Sequence, residues 1–101
     1  MRVLLKESTS KGKKWMIVIN PGMPNKSTVH FGASGYEDYT THKDPERKAR
    51  YLARHKAREN WTQRGIGTAG FWSRWLLWNE PTLSASKKDI ARRFGVQFVK
   101  N

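Results

Sequence analysis

Apolar and polar positions along the chain change period twice, and each change marks a change of element. Val3 to Lys6 and Trp15 to Ile19 are short apolar runs separated by Ser-Thr-Ser-Lys-Gly-Lys, a turn-rich stretch that includes Gly12. Asn20-Pro21-Gly22-Met23-Pro24-Asn25 supplies a second chain reversal. Ser27 to Phe31 then alternates, with Val29 and Phe31 on one side. The pattern predicts a three-stranded antiparallel meander over residues 1–31. Gly32 and Gly35 bracket a tight connection, and Tyr36 and Tyr39 follow in a stretch with no regular period.

From Asp44 the period becomes helical. Asp44-Pro45 is a start signal: the carboxylate caps free N–H groups and proline takes the first helical position, where no donor is needed. The spacing predicts a helix over 44–60, ended by Gln63-Arg64-Gly65-Ile66-Gly67-Thr68. From Ala69 to Trp78, Phe71, Trp75 and Trp78 form one stripe and Trp72 and Leu76 another, which predicts a central, mostly apolar helix. After Pro81, Thr82 or Ser84 caps a third helix with Ile90 and Phe94 facing inward and Gly95 as its stop, so 69–94 reads as a Trp-rich helix pair. Val96, Phe98 and Val99 read as a short closing strand. The fold class is α+β: a single domain over 1–101, with an N-terminal antiparallel meander packed on about three helices.

Composition sharpens this reading. The chain has 101 residues, enough for one small core. Five tryptophans, four phenylalanines and three tyrosines set it apart from a disordered tail. With 20 Lys and Arg against 8 Asp and Glu, the formal charge is +12, and a nucleic acid is the expected partner of such a surface. The cations concentrate in residues 1–26, 43–64 and 84–101, while 27–42 is slightly acidic. There is no cysteine, which excludes a disulfide framework and a thiolate metal site. No apolar stretch nears the roughly 18 to 20 residues of a membrane span, and the start Met-Arg-Val-Leu-Leu-Lys is too short for a signal peptide. The expectation is a protein without a membrane span, not secreted by a signal of its own.

The candidate chemistry lies on the basic helix. At 100° per residue Arg47, Arg50, Arg54 and Arg58 fall within roughly 80° of one face, with Ala49, Leu52 and Ala53 on the other side. Planar guanidinium forks can each donate to two anionic oxygens, so this face is expected to meet several phosphates or carboxylates at once. The alternative is a solvated face paired with Glu46, Glu59 or the Glu37-Asp38 pair. Lys87, Lys88, Arg92 and Arg93 form a second candidate cluster. Trp15, beside Lys13 and Lys14, is the expected exposed stacking side chain, whereas Trp61, Trp72, Trp75 and Trp78 at helical spacing are expected in the core.

Other constellations are weaker. His30, His42 and His55 with Asp44 and Glu59 contain only one helical pair, His55 and Glu59, and match no metalloprotease or hydrolase signature. No catalytic residue, metal site or cofactor is assigned. A small nuclease built on His42, His55, Asp44 and Glu59 is the enzymatic alternative. Thr82 to Val96 is similar to the first helix and turn of a helix-turn-helix motif, but only five residues follow, so no reading helix can. Residues 83–94 would then have to serve as the reader in a pair with 70–78.

His30-Phe31-Gly32, Gly35-Tyr36, Asp38-Tyr39-Thr40, His42-Lys43-Asp44, Arg47-Lys48, Tyr51, Arg54-His55, Arg58-Glu59, Trp61, the run Ala69 to Trp78 and Pro81-Thr82 carry a resemblance. Over His30 to Phe94 the chain resembles a group of short basic proteins encoded by nucleocytoplasmic large DNA viruses that infect algae and protists. The resemblance implies a viral origin, with the virion or the infected cell as the setting, and no activity, cofactor or binding residue. Residues 1–29 lie outside it. The expected function is non-enzymatic binding of nucleic acid, DNA in a DNA virus, through its phosphates and with little sequence preference. The alternative is a minor capsid or cement protein gripping acidic surfaces of virion proteins.

Overall fold

The computed structural model describes residues 1–100. Strands β1 (Arg2–Glu7), β2 (Lys13–Ile19) and β3 (Ser27–Ala33) form the meander that the alternation predicts. A short strand β4 (Gln97–Phe98) adds to the other edge of β1 in parallel, giving the order β3-β2-β1-β4. Register follows burial. Val3 pairs with Ile19, Leu5 with Ile17, Trp15 with Phe31 and Ile17 with Val29, so these side chains share the face that packs on the helices.

The helical half is α1 (Tyr39–His42), α2 (Pro45–His55), α3 (Ala69–Trp72) and α4 (Leu83–Phe94). Phe71, Trp72, Trp75, Leu76, Leu77 and Ile90 are buried against the sheet face. Fully burying each such side chain stabilises the fold by about 1.5–3 kcal/mol. The indole N–H groups of two buried tryptophans find carbonyls: Trp72 Nε1 donates to Ile66 O at 2.6 Å and Trp75 Nε1 to Trp61 O at 2.9 Å.

Three details depart from the sequence expectation. The 39–42 stretch is a helix, not irregular chain: Asp38 accepts from Thr40 N, and Thr41 Oγ1 accepts from Asp38 N, a reciprocal cap. Lys43, at φ 55°, ends it. The basic helix stops at His55 rather than running to 60. Lys56 and Ala57 are good helix formers, so propensity does not set the stop: Glu59 takes His55 Nδ1 at 3.1 Å and Trp61 Nε1 at 2.9 Å and lies against Gly70. Gly70 allows this approach, because a Cβ there would lie 2.8 Å from Glu59 Cδ.

The third departure is in the Trp-rich segment. After α3 the chain widens into a π turn over Ser73–Leu77, closed by Trp78 N donating to Ser73 O at 3.1 Å. The turn buries Trp75, Leu76 and Leu77 in succession. Trp78 leaves the stripe of Phe71 and Trp75 and stacks on Tyr51 of α2, with ring centres 4.3 Å apart and planes 3° from parallel. The remaining caps agree with the sequence: Asp44 accepts from Glu46 N, Thr82 from Ala85 N, and Gly95 ends α4 at φ 67°.

Candidate functional site

The stripe on α2 does not point away from the molecule. Tyr51, 7% exposed, is the helix's buried residue, and Arg47, Arg50 and Arg54 project from the flank beside it. Ala49 and Ala53, on the opposite side, are exposed. The arginines therefore line a groove between α2 and the sheet edge instead of a convex outer face.

Five segments build this groove, whose volume is 660 Å³. Lys13, Lys14, Gly32 and Ala33 come from the ends of β2 and β3, and Tyr36, Glu37 and Asp38 from the loop that follows. Arg47, Arg50, Tyr51, Arg54 and His55 come from α2. Gly70, Ser73, Leu77 and Trp78 contribute from the Trp-rich segment. Gly32 is required where these meet, since at φ 79° a Cβ would lie 2.9 Å from Leu77 Cδ1.

Each carboxylate at the groove already has a partner. Asp38, buried, takes Lys14 Nζ at 2.8 Å and caps α1. Glu37 meets Arg47 Nη1 at 3.2 Å, an exposed pair worth at most about 1 kcal/mol. Glu59 is held by His55 and Trp61. Arg50 lies only at the 4.0 Å limit from the exposed Glu46. Lys13 and Arg54 are exposed and make no ion pair among the described residues. The groove thus keeps Lys13, Arg50 and Arg54 as cations that another molecule's anions can engage.

Packing fixes the arginine flank. Tyr51 is stacked between His55, 4.2 Å away, and Trp78, and burial pushes its phenol well above the ordinary tyrosine range. Lys48 Nζ donates to Asn79 O at 2.7 Å and Lys43 Nζ to Pro81 O at 2.9 Å, tying α1 and α2 to the loop before α4. Desolvation, with the nearby Arg74 charge second, lowers the Lys48 ammonium below its usual range. Arg74 lies over Trp75 at 4.2 Å and Trp61 at 5.4 Å and donates to Trp78 O, which braces the opposite wall.

Arg58 does not join the groove. It lies in the turn beyond α2, and its guanidinium folds back to the Arg54 carbonyl at 3.5 Å. Nor does the second cluster, because no α4 residue lines the groove. The buried Asp89 accepts from Arg92, from Arg93 Nε at 3.3 Å and from Asn79 Nδ2 at 2.8 Å. The Asn79 hydrogen bond above all, assisted by the two arginines, holds the Asp89 carboxyl below the usual range. Arg93 also lies over Trp75 at 4.6 Å and Lys87 over Phe98 at 5.8 Å, which leaves Lys88 alone without such a contact. Trp15 is not a free platform: it is half-buried against the core.

Of the acid-base candidates, His55 and Glu59 meet at the groove, but His42 and Asp44 pair elsewhere, Asp44 N donating to His42 Nδ1 at 2.9 Å. Among the described residues no cluster of three or more His, Asp or Glu side chains is placed to hold a metal ion. Among them, too, no helix is long and apolar enough to cross a membrane. The sequence reading missed Lys13, Lys14 and Tyr36 as groove residues. Their signal was faint: two lysines at a strand start and a tyrosine after Gly35, brought to α2 only by the tertiary fold.

No curated protein and no solved structure matches the chain. A family model does match, over residues 3–55, which takes in all but the first residue of the meander, the whole of α2 and every lysine and arginine of the groove. The chain belongs to that family, a family of unknown function designated DUF5754.

Proposed function

We propose that this protein is a non-enzymatic binder of nucleic acid that engages phosphates in the groove between α2 and the sheet edge. One observation carries the reading: Lys13, Arg50 and Arg54 converge on one concavity in which every carboxylate is already occupied by a partner of the protein's own. Concave walls focus the field of such a set, so an incoming polyanion meets cations that need not first break internal pairs. Contacts to phosphate oxygens position the strand without reading its sequence, so little sequence preference is expected. Taken with the viral resemblance, the task proposed is genome packaging or a role in the virion of a large DNA virus.

The test is a salt titration of binding to a labelled oligonucleotide, wild type against Lys13→Ala/Arg50→Ala/Arg54→Ala. Each lost phosphate contact removes about 0.7–0.9 from the slope of log K against log salt, so the variant's slope becomes shallower by about 2 to 3. Its affinity falls about a hundredfold at 0.1 M salt. An unchanged slope overturns the proposal. Polyglutamate competing as well as the oligonucleotide also overturns it, in favour of a shell protein gripping acidic surfaces.

A further inference from the structure

We propose that the groove takes a single strand, with an unstacked base against Tyr36 and the flanking phosphates on Lys13, Arg50 and Arg54. This rests on the reading above and names the form of nucleic acid that the same site selects. The aromatic side chains of the described residues are otherwise spent inside the fold. Tyr51, Trp78 and His55 stack on one another, Phe71, Trp75 and Phe94 pack edge to face, and Tyr39 lies beside His42 and under Lys48. Tyr36 is the exception. It is 73% exposed, the one aromatic among the large exposed hydrophobic side chains, and it lines the same cavity as the three cations.

A free π-face beside cations with no close internal partner, Arg50 only 4.0 Å from the exposed Glu46, matches the two halves of an unpaired nucleotide, one apolar and planar, the other anionic. A duplex supplies only the second half. Its base faces are covered by their neighbours, so a duplex laid across the groove leaves Tyr36 with nothing to stack on. The cavity's 660 Å³ lies within the range of sites that enclose small ligands, a scale suited to one or two splayed nucleotides. Gly35, at φ 84°, shapes the turn that leaves the ring open to solvent.

Fluorescence anisotropy with a labelled single strand, the same strand bearing abasic sites, and the corresponding duplex tests this at one salt concentration. The single strand binds more tightly than the duplex. Tyr36→Ala weakens the intact strand about tenfold, Tyr36→Phe stays within about twofold, and neither changes duplex binding. Wild type holds the abasic strand as weakly as Tyr36→Ala holds the intact one, and the two losses do not add. The inference is overturned if the duplex binds as well as the strand, or if Tyr36→Ala leaves the strand's affinity unchanged. If binding then still depends on Arg50 and Arg54, the phosphate groove itself stands. If Arg50→Ala/Arg54→Ala also has no effect, both readings fall.

Discussion

Two basic helices, α2 and α4, differ in what their cations face. On α2, Arg50 and Arg54 open on a groove whose acids are already engaged. On α4, Arg92 and Arg93 close on Asp89, and Arg93 and Lys87 also cover aromatic rings. Cation number is similar in the two places. What separates a binding face from a structural one is whether the fold supplies its own carboxylates and π-faces to the cations. One well-placed aspartate is enough to engage two guanidiniums that stay at the surface of a basic helix.

The largest expected effect breaks the α2 side of this comparison. Tyr51→Ala removes a ring stacked on both faces and should cost about 3–5 kcal/mol in denaturant unfolding, taking nucleic-acid binding with it. Tyr51→Phe keeps the ring and should change stability by less than about 0.5 kcal/mol.

A second substitution tests α4. Asp89→Ala leaves Asn79 without its partner and frees two guanidiniums, so unfolding should become easier by about 1–3 kcal/mol while affinity for nucleic acid holds or rises. A fall in affinity in the folded variant would show that α4 binds through its present arrangement. The pH dependence has a definite sign. Because the folded-state pKa of Asp89 is lowered, its contribution is present above the ordinary carboxylate range and is lost as pH falls through the folded-state value. Asp89→Asn should therefore show a shallower acid loss of stability than wild type, read from thermal midpoints across the acid range.

A smaller effect is expected at Gly70→Ala. The added methyl meets the far end of the Glu59 side chain, which can swing away, so the cost should stay near or below about 1 kcal/mol. His55 and Trp61 then lose their shared carboxylate, and the Trp61 indole N–H resonance should shift.

The fold was legible where local chemistry decides. Alternation around Ile17 and Phe31, turn residues near Gly12 and Gly22, and the caps at Asp44, Thr82 and Gly95 all act within a few residues, and each element appears where they put it. The site was legible only in part. The arginine period was correct over Arg47, Arg50 and Arg54, but its direction depended on Tyr51 finding Trp78, 27 positions along the chain, which periodicity cannot show. Read locally, Leu52 with two alanines looks like the inward face; the Tyr51 stack is the stronger packing force and turns the helix the other way. The end of α2 at His55 has the same kind of cause, since Glu59 bonds outward to Trp61 and packs on Gly70 rather than extending the helix.

The most direct measurement compares two variants of equal charge loss, Arg50→Ala/Arg54→Ala and Lys88→Ala/Arg92→Ala, in the salt dependence of single-strand binding. Both remove two positive charges, so a surface acting through net charge alone weakens equally in the two. The groove account predicts that the α2 pair loses affinity by at least tenfold at 0.1 M salt and flattens the slope by about 1.4, while the α4 pair changes each only slightly. Equal losses from the two pairs, or a larger loss from the α4 pair, would contradict it.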